Sequence, residues 1–276
     1  MCRFVSYLGT EQILINKLIS QPTNSLIKQS KNAKKDAYSI NADGFGMAWY
    51  NNDVDDEPGV FKSTQPAWND NNLQSLAGKV TSKCFLAHVR ASNVGDVSLN
   101  NCHPFTYKNY SFAHNGIIKK FNDIKLALIN KLDKKLFVAI NGQTDSEHLF
   151  FLIMHFLSSS RNLTLEGAVI KTFSWIIAQQ QQDESAFAKL NIVISDGSTI
   201  LATRFSSKGK ASLSLTYCLK TPELLENKSY SDASVIISSE ELTDISDMWE
   251  IVPHNSYVIF DTINKNLTVK TFDLIA

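Results

Sequence analysis

Apolar residues recur along the chain at two spacings. Short runs rich in Val, Ile, Phe and Tyr, bounded by Gly, Asn, Asp and Ser, read as strands at 2–8, 44–50, 84–90, 110–114, 190–195, 199–205, 234–239 and 256–261. Between them the spacing becomes helical. Thr10 predicts a cap for a helix toward Ser20, and Asn122 or Asp123 for one aligning Ile124, Ala127, Leu128 and Leu132. Thr144-Asp145-Ser146-Glu147 has the capping-box pattern before an apolar helix reaching Leu157. Residues 165 to about 180 place Leu165, Ala168, Val169, Phe173 and Ile176 on one face. The Asn-, Asp- and Pro-rich stretch 51–75 reads as a surface excursion, and a second loop surrounds 206–210. Strands gathered at both ends with helices grouped between them predict α+β layers in one domain, without internal repeats.

Composition narrows the functional classes. The chain has 276 residues, 43% hydrophobic and 20% charged, with 27 basic and 27 acidic side chains and zero net charge. That balance argues against nucleic-acid binding by counterion release, and no Lys/Arg cluster restores the idea. No apolar core follows a basic start, so no secretory signal is readable. The most apolar stretch, 149–157, is interrupted by His155 and far shorter than the about 20 residues of a membrane span. A soluble, cytoplasmic protein that does not engage membranes is expected. Four cysteines without a Cys-x-x-Cys pair do not make a disulfide scaffold. Phosphate-loop, dinucleotide and nucleophile-elbow motifs are absent, and no cofactor is expected.

A few residues carry chemistry. Cys2 follows the initiator methionine. If Met1 is removed, the freed α-amine, with an ordinary pKa of about 7.7–8.0, lies within reach of the thiol of the same residue. Nucleophile and proton acceptor then share one residue. His114-Asn115-Gly116 has two readings: Asn-Gly as a hairpin turn, or an amide and a Gly N–H converging on a developing oxyanion. Arg90 either reaches solvent from the end of its strand or forks onto a carboxylate. Asp145 either complements a helix dipole or accepts a substrate ammonium. A rival metal site from His88, His103, His114, Cys84 and Cys102 lacks a ligand spacing that favours it, and no metal is expected.

In their order along the chain, Met1-Cys2-Arg3-Phe4, Asp43-Gly44-Phe45-Gly46-Met47-Ala48-Trp49-Tyr50 and Ala87-His88-Val89-Arg90-Ala91-Ser92 resemble the class II glutamine amidotransferases. Asn101-Cys102-His103-Pro104-Phe105, His114-Asn115-Gly116 and Thr144-Asp145-Ser146-Glu147 extend the likeness. Ser239-Glu240 through Trp249-Glu250-Ile251-Val252-Pro253 is similar to the stand-alone YafJ-like subgroup. The resemblance implies an N-terminal-nucleophile hydrolase with a four-layer αββα sandwich, its domain spanning 2–265 and 266–276 forming a terminal strand or tail of that domain. It implies Cys2 as nucleophile, Asn115 and Gly116 as oxyanion hole, Arg90 for the substrate α-carboxylate and Asp145 for the α-amino group. Glutamine is the implied substrate. The alternative is a γ-glutamyl compound, and with either substrate a separate synthase or hydrolase protein is the partner the resemblance implies. A non-enzymatic sensing or scaffold domain is a further alternative. Members fused to a synthase follow the arginine with Trp-Ala-Thr-His-Gly. Here Ala91-Ser92-Asn93-Val94-Gly95 follow, so that threonine and histidine are missing and either a thinner α-carboxylate clamp or a more open pocket is expected.

Overall fold

The computed structural model describes residues 2–35, 40–92, 95–219, 221–225 and 233–274. Its strands in chain order are β1 (Arg3–Leu14), β2 (Phe45–Trp49), β3 (Gly59–Ser63), β4 (Thr81–Val89), β5 (Phe105–Tyr107), β6 (Tyr110–Ile118) and β7 (Ala188–Ser195). They continue with β8 (Thr199–Arg204), β9 (Thr216–Cys218), β10 (Ser234–Ser238), β11 (Glu250–Ile251), β12 (Ser256–Asp261) and β13 (Asn266–Thr271). The helices are α1 (Asn16–Ile19), α2 (Leu26–Lys31), α3 (Asn71–Ala77), α4 (Phe121–Lys131), α5 (Lys134–Val138), α6 (Asp145–Ser159), α7 (Leu165–Gln179) and α8 (Thr221–Leu224). A seven-stranded sheet has the order β11-β9-β10-β1-β4-β2-β3, and a six-stranded sheet the order β13-β12-β8-β7-β6-β5.

Because successive side chains of a strand point to opposite faces, each sheet feeds two apolar layers. Phe4 and Leu8 of β1 and Cys84 and Leu86 of β4 meet Ala113, Val193 and Ala202 of the other sheet between the two. Their neighbours Val5, Tyr7, Phe85 and Ala87 face outward, against Leu18, Ile19, Leu26 and Leu73 of the short helices. On the far side Phe112, Leu190 and Ile192 pack beneath Leu128, Phe150, Ile153 and Phe173 of the long helices. Helix, sheet, sheet, helix is the αββα sandwich expected. Each fully buried Leu, Phe or Ile contributes about 1.5–3 kcal/mol.

The departures from the sequence reading have local causes. β1 does not stop at Leu8: Ile13 is fully buried and pairs with Ser82, and a register shift between Leu8 and Ile13 absorbs the polar residues between them. Thr10 therefore caps no helix and instead donates its N–H to Ala233 O at 3.2 Å. The excursion 51–75 contains β3 and the start of α3, where Asp70 accepts from Leu73 N at 2.8 Å. Asn115-Gly116 is no hairpin turn, because β6 pairs with β7 from Ser111 through Ile118. The turn lies earlier, between β5 and β6, where Lys108 has φ 51°. Toward the C-terminus β13 pairs along β12 from Asn266 to Thr271. Among the described residues no helix is long and apolar enough to cross a membrane.

Candidate active site

β1 lies within the seven-stranded sheet between β10 and β4, so the residue before it, Cys2, is delivered to the end of the sandwich by paired strands on both sides. Cys2 lines a small cleft there together with Arg90, Ala91, Ser92, His103, His114, Gly116, Ile117, Thr144, Asp145 and Ser146. Its Sγ lies 3.4 Å from Ala91 N and 3.5 Å from Ala91 O. Burial raises the thiol pKa, an effect the Ala91 hydrogen bond only partly offsets, so the resting side chain is protonated. Cys84, by contrast, is sealed between the sheets beside Ser195 Oγ, with its pKa pushed up to about 12 by burial. Removal of Met1, on which the amine of Cys2 depends, lies outside the described residues.

The opposite wall comes from β6 and the N-terminus of α6. Thr144 caps α6 through Glu147 N at 3.2 Å. Asp145, the first residue of the helix, spends one oxygen on Ile118 N at 2.8 Å and the other on Ser146 N at 2.8 Å. The carboxylate is 4% exposed and borders the cleft. Gly116 sits next to Ile118 on the same strand edge. Its partner across the ladder, Leu190, donates to Phe205 O of the β8 side at 2.9 Å. In an antiparallel ladder this turns the Gly116 N–H away from β7, toward the edge where Ile118 N meets Asp145. β5 reaches only as far as Phe112, leaving that edge to the cleft. The glycine itself is required by packing, since a Cβ there would lie 2.0 Å from Lys189 O. Asn115 does not line the cleft wall. Strand alternation puts it on the Ala113 side, between the sheets and 1% exposed, with no hydrogen-bond partner for Oδ1 among the described residues.

Arg90 does not reach solvent. It is 3% exposed, and its guanidinium donates to Asp96 O at 3.2 Å, Gly95 O at 3.2 Å and Ser92 Oγ at 3.0 Å. It thus gathers the loop that follows it while bordering the cleft. The base of that loop is fixed by Asp43, whose carboxylate accepts from Ser92 N at 2.7 Å. Gly44 beside it has φ 105° and would place a Cβ 2.6 Å from Cys102 Sγ. Asn93 and Val94, part of the departure from Trp-Ala-Thr-His-Gly, lie outside the described residues.

Sequence reasoning missed Asn101 as a tie. Its Nδ2 donates to Asp96 O at 2.9 Å and its Oδ1 accepts from Gln143 N at 2.8 Å, joining the loop after Arg90 to the loop before α6. Glu147 fixes the latter from below, accepting from Asn141 N at 2.9 Å and Gly142 N at 2.7 Å. The motif containing Asn101 was visible; a bridge between two distant loops leaves no periodic signal. His114, in the sequence a flank of Asn115-Gly116 or a metal-ligand candidate, is a tie as well. Its Nδ1 meets Ser146 Oγ at 2.9 Å and its Nε2 meets Lys189 O at 2.9 Å.

His88 and His103 stack with centroids 4.1 Å apart, and none of their ring nitrogens has a hydrogen-bond partner among the described residues. Burial lowers the pKa of both, to about 3 for His88, and lowers that of His114 as well. Neutral imidazoles here are poor proton acceptors at neutral pH. Among the described residues no group of three or more His, Cys, Asp or Glu is arranged to hold a metal ion.

Comparison with known proteins gives the same direction. The family profile of the class-II glutamine amidotransferases matches residues 21–271. The probable glutamine amidotransferase DUG3 of Saccharomyces cerevisiae is 33% identical over 287 aligned positions, covering 93% of this chain and 80% of the yeast protein. A gamma-glutamyl-hercynylcysteine sulfoxide hydrolase of Mycolicibacterium smegmatis is 29% identical over 208 positions, covering 74% of this chain and 78% of its own. Among solved structures, a glutamine aminotransferase class-II domain protein from Silicibacter pomeroyi superposes with a TM-score of 0.68 at 23% identity, over 98% of this chain and 99% of that one.

Proposed function

We propose that this chain, which belongs to the class-II glutamine amidotransferase family, hydrolyses the γ-amide of glutamine through a thioester on Cys2. The observation that carries the reading is the meeting, in one cleft, of the thiol before β1 with Asp145 and the outward N–H edge of β6. With Met1 removed, the Cys2 α-amine takes the thiol proton as Sγ attacks the amide carbon. The neighbouring buried histidines are too weakly basic for that task. The oxyanion is met by Gly116 N–H and the side-chain amide of Asn115, which swings to it from between the sheets. The C–N bond then breaks, the proton passes to the leaving nitrogen as ammonia departs, and water hydrolyses the thioester to glutamate and free thiol.

Asp145 attracts the substrate ammonium. Arg90 holds the α-carboxylate, which a planar guanidinium recognises through two parallel N–H groups. Ala91 and Ser92, where fused members carry Trp and Ala, support a second reading in which the leaving group is an amine or peptide and the substrate a γ-glutamyl compound. That is the bond named for the mycobacterial relative. A separate synthase or hydrolase partner and a cytoplasmic site of action, suited to free cysteines, belong to the same proposal.

The test is intact mass spectrometry before and after exposure to a diazo-ketone analogue of glutamine. The expected result is loss of Met1 and a single adduct that Cys2→Ala does not form. A processed chain that forms no adduct and turns over neither glutamine nor γ-glutamyl peptides would overturn the reading.

A further inference from the structure

An N-terminal nucleophile poses a mechanical problem, because a first residue is tethered on one side only and chain ends fray. The ladder between β1 and β10 gives out at Val5↔Ser238, short of Cys2. Two side-chain systems take over. Ser239 brackets Phe4, donating its N–H to Phe4 O at 3.0 Å and accepting Phe4 N on Oγ at 3.0 Å. Beyond it, Glu240 is fully buried and accepts Arg3 Nε on Oε1 at 2.8 Å, with Arg3 Nη2 also 2.8 Å from that oxygen. The remaining end of the guanidinium, Nη1, donates to Cys2 O at 2.9 Å. Glu240 is itself anchored by Lys34 N and Lys35 N, each at 3.0 Å, from the segment after α2. One rigid planar fork therefore connects a buried carboxylate with the carbonyl of the residue that bears the thiol.

We propose that Glu240 is a positioning residue for Cys2, acting through the Arg3 guanidinium. Holding the Cys2 carbonyl fixes rotation about the residue's own backbone and so aims both its nitrogen and its Cβ. Glu240 also balances the charge of the guanidinium, which places a donor beside Cys2 without leaving an uncompensated cation in the interior. The inference rests on the reading of Cys2 as nucleophile and adds to it a residue that never touches substrate.

The experiment compares Glu240→Gln and Arg3→Lys with the parent chain, each processed at Met1 and each checked for folding by circular dichroism and thermal melting. Gln retains one acceptor oxygen, enough for the Lys35 N–H and Arg3 but not for the Lys34 N–H as well, and loses the charge that orients Arg3. Lys keeps the ion pair, but its compact ammonium replaces the fork that spans Glu240 and Cys2 O. The expected result is a kcat lower by on the order of 10²-fold, the effect of misplacing a reacting group by about 1 Å, with KM within about two-fold of the parent. Alkylation of Cys2 by iodoacetamide, which needs no alignment with the oxyanion donors, changes far less than kcat. A folded variant that retains kcat within about two-fold overturns the proposal, as does a loss of kcat that only tracks the unfolded fraction. Should Glu240→Gln fail to fold, Arg3→Lys decides by the same criteria. A parent inert toward glutamine and γ-glutamyl peptides would sink the nucleophile reading and this one together; an active parent with unaltered variants would sink this one alone.

Discussion

A methyl group added at Gly116 would lie 2.0 Å from Lys189 O and 2.4 Å from His114 Nε2. Neither atom is free to retreat, since the carbonyl belongs to β7 and the imidazole is held at both nitrogens. Gly116→Ala is therefore expected to destabilise the fold by about 1–3 kcal/mol, as overpacking does, measurable by urea titration. An unchanged midpoint would show that β6 and β7 separate there at little cost. Asn115→Ala removes no hydrogen bond between Oδ1 and the described residues. It is expected to preserve stability while lowering kcat by about 10²–10³-fold, the usual effect of deleting an oxyanion donor. A change confined to KM would remove Asn115 from that role. At this scale the sequence revealed the residue types but misread one cause. Gly116 looked like a turn former or a close-approach glycine, and the carbonyl that forbids a side chain comes from a strand more than seventy residues later.

Elements make the site by meeting at their ends. The loop after β4, the segment 99–104 and the loop before α6 converge on Asn101, which has one hydrogen bond to each neighbour. Asn101→Ala should leave the sheets intact and speed amide exchange at Gln143, with kcat/KM falling through KM as the cleft wall loosens. Unaltered exchange there would mean that Glu147, with the Asn100 contact to Asn141 O, is enough to secure the loop. The capping box at Thr144 was legible because it is a local pattern, and so were the two long helices, whose periodicity is strong. The short strands β3 and β9 were not legible: the edge strand β3 lies inside a polar excursion, and β9 is too brief to alternate. The polar bulge within β1 imitated a helix start, because Thr10 is as apt to cap a helix as to sit in a strand.

Over the whole molecule, His88, His103 and His114 form a buried set kept neutral by desolvation. Because their folded pKa values lie below the ordinary value of about 6.5, their contribution to stability is complete above that pH and is lost as the medium becomes more acidic. Each unit of pH removes up to about 1.4 kcal/mol per histidine, continuing to about 3 for His88. For Glu240, burial favours the neutral acid, but Arg3 and the Lys34 and Lys35 amides outweigh it and hold the carboxyl below its usual range. Its contribution therefore fades only in a lower window, below about pH 4.5. The melting temperature is expected to decline steadily between about pH 7 and pH 5, and less steeply in His88→Phe. A flat profile would mean that these rings already bind protons in the native state.

The strand order also bears on how the protein is made. β1 precedes the other strands along the chain, yet one of its two flanking strands, β10, follows only after eight of them. The same holds for Ser239 and Glu240, which grip Phe4 and Arg3. An N-terminal fragment lacking them has Cys2 ahead of a strand with one bare edge, without the Glu240 hold on Arg3. With Cys2 as the proposed nucleophile, a chain cut short of Glu240 is expected to be silent toward amides, competence arising only once Ser239 and Glu240 close around Phe4 and Arg3.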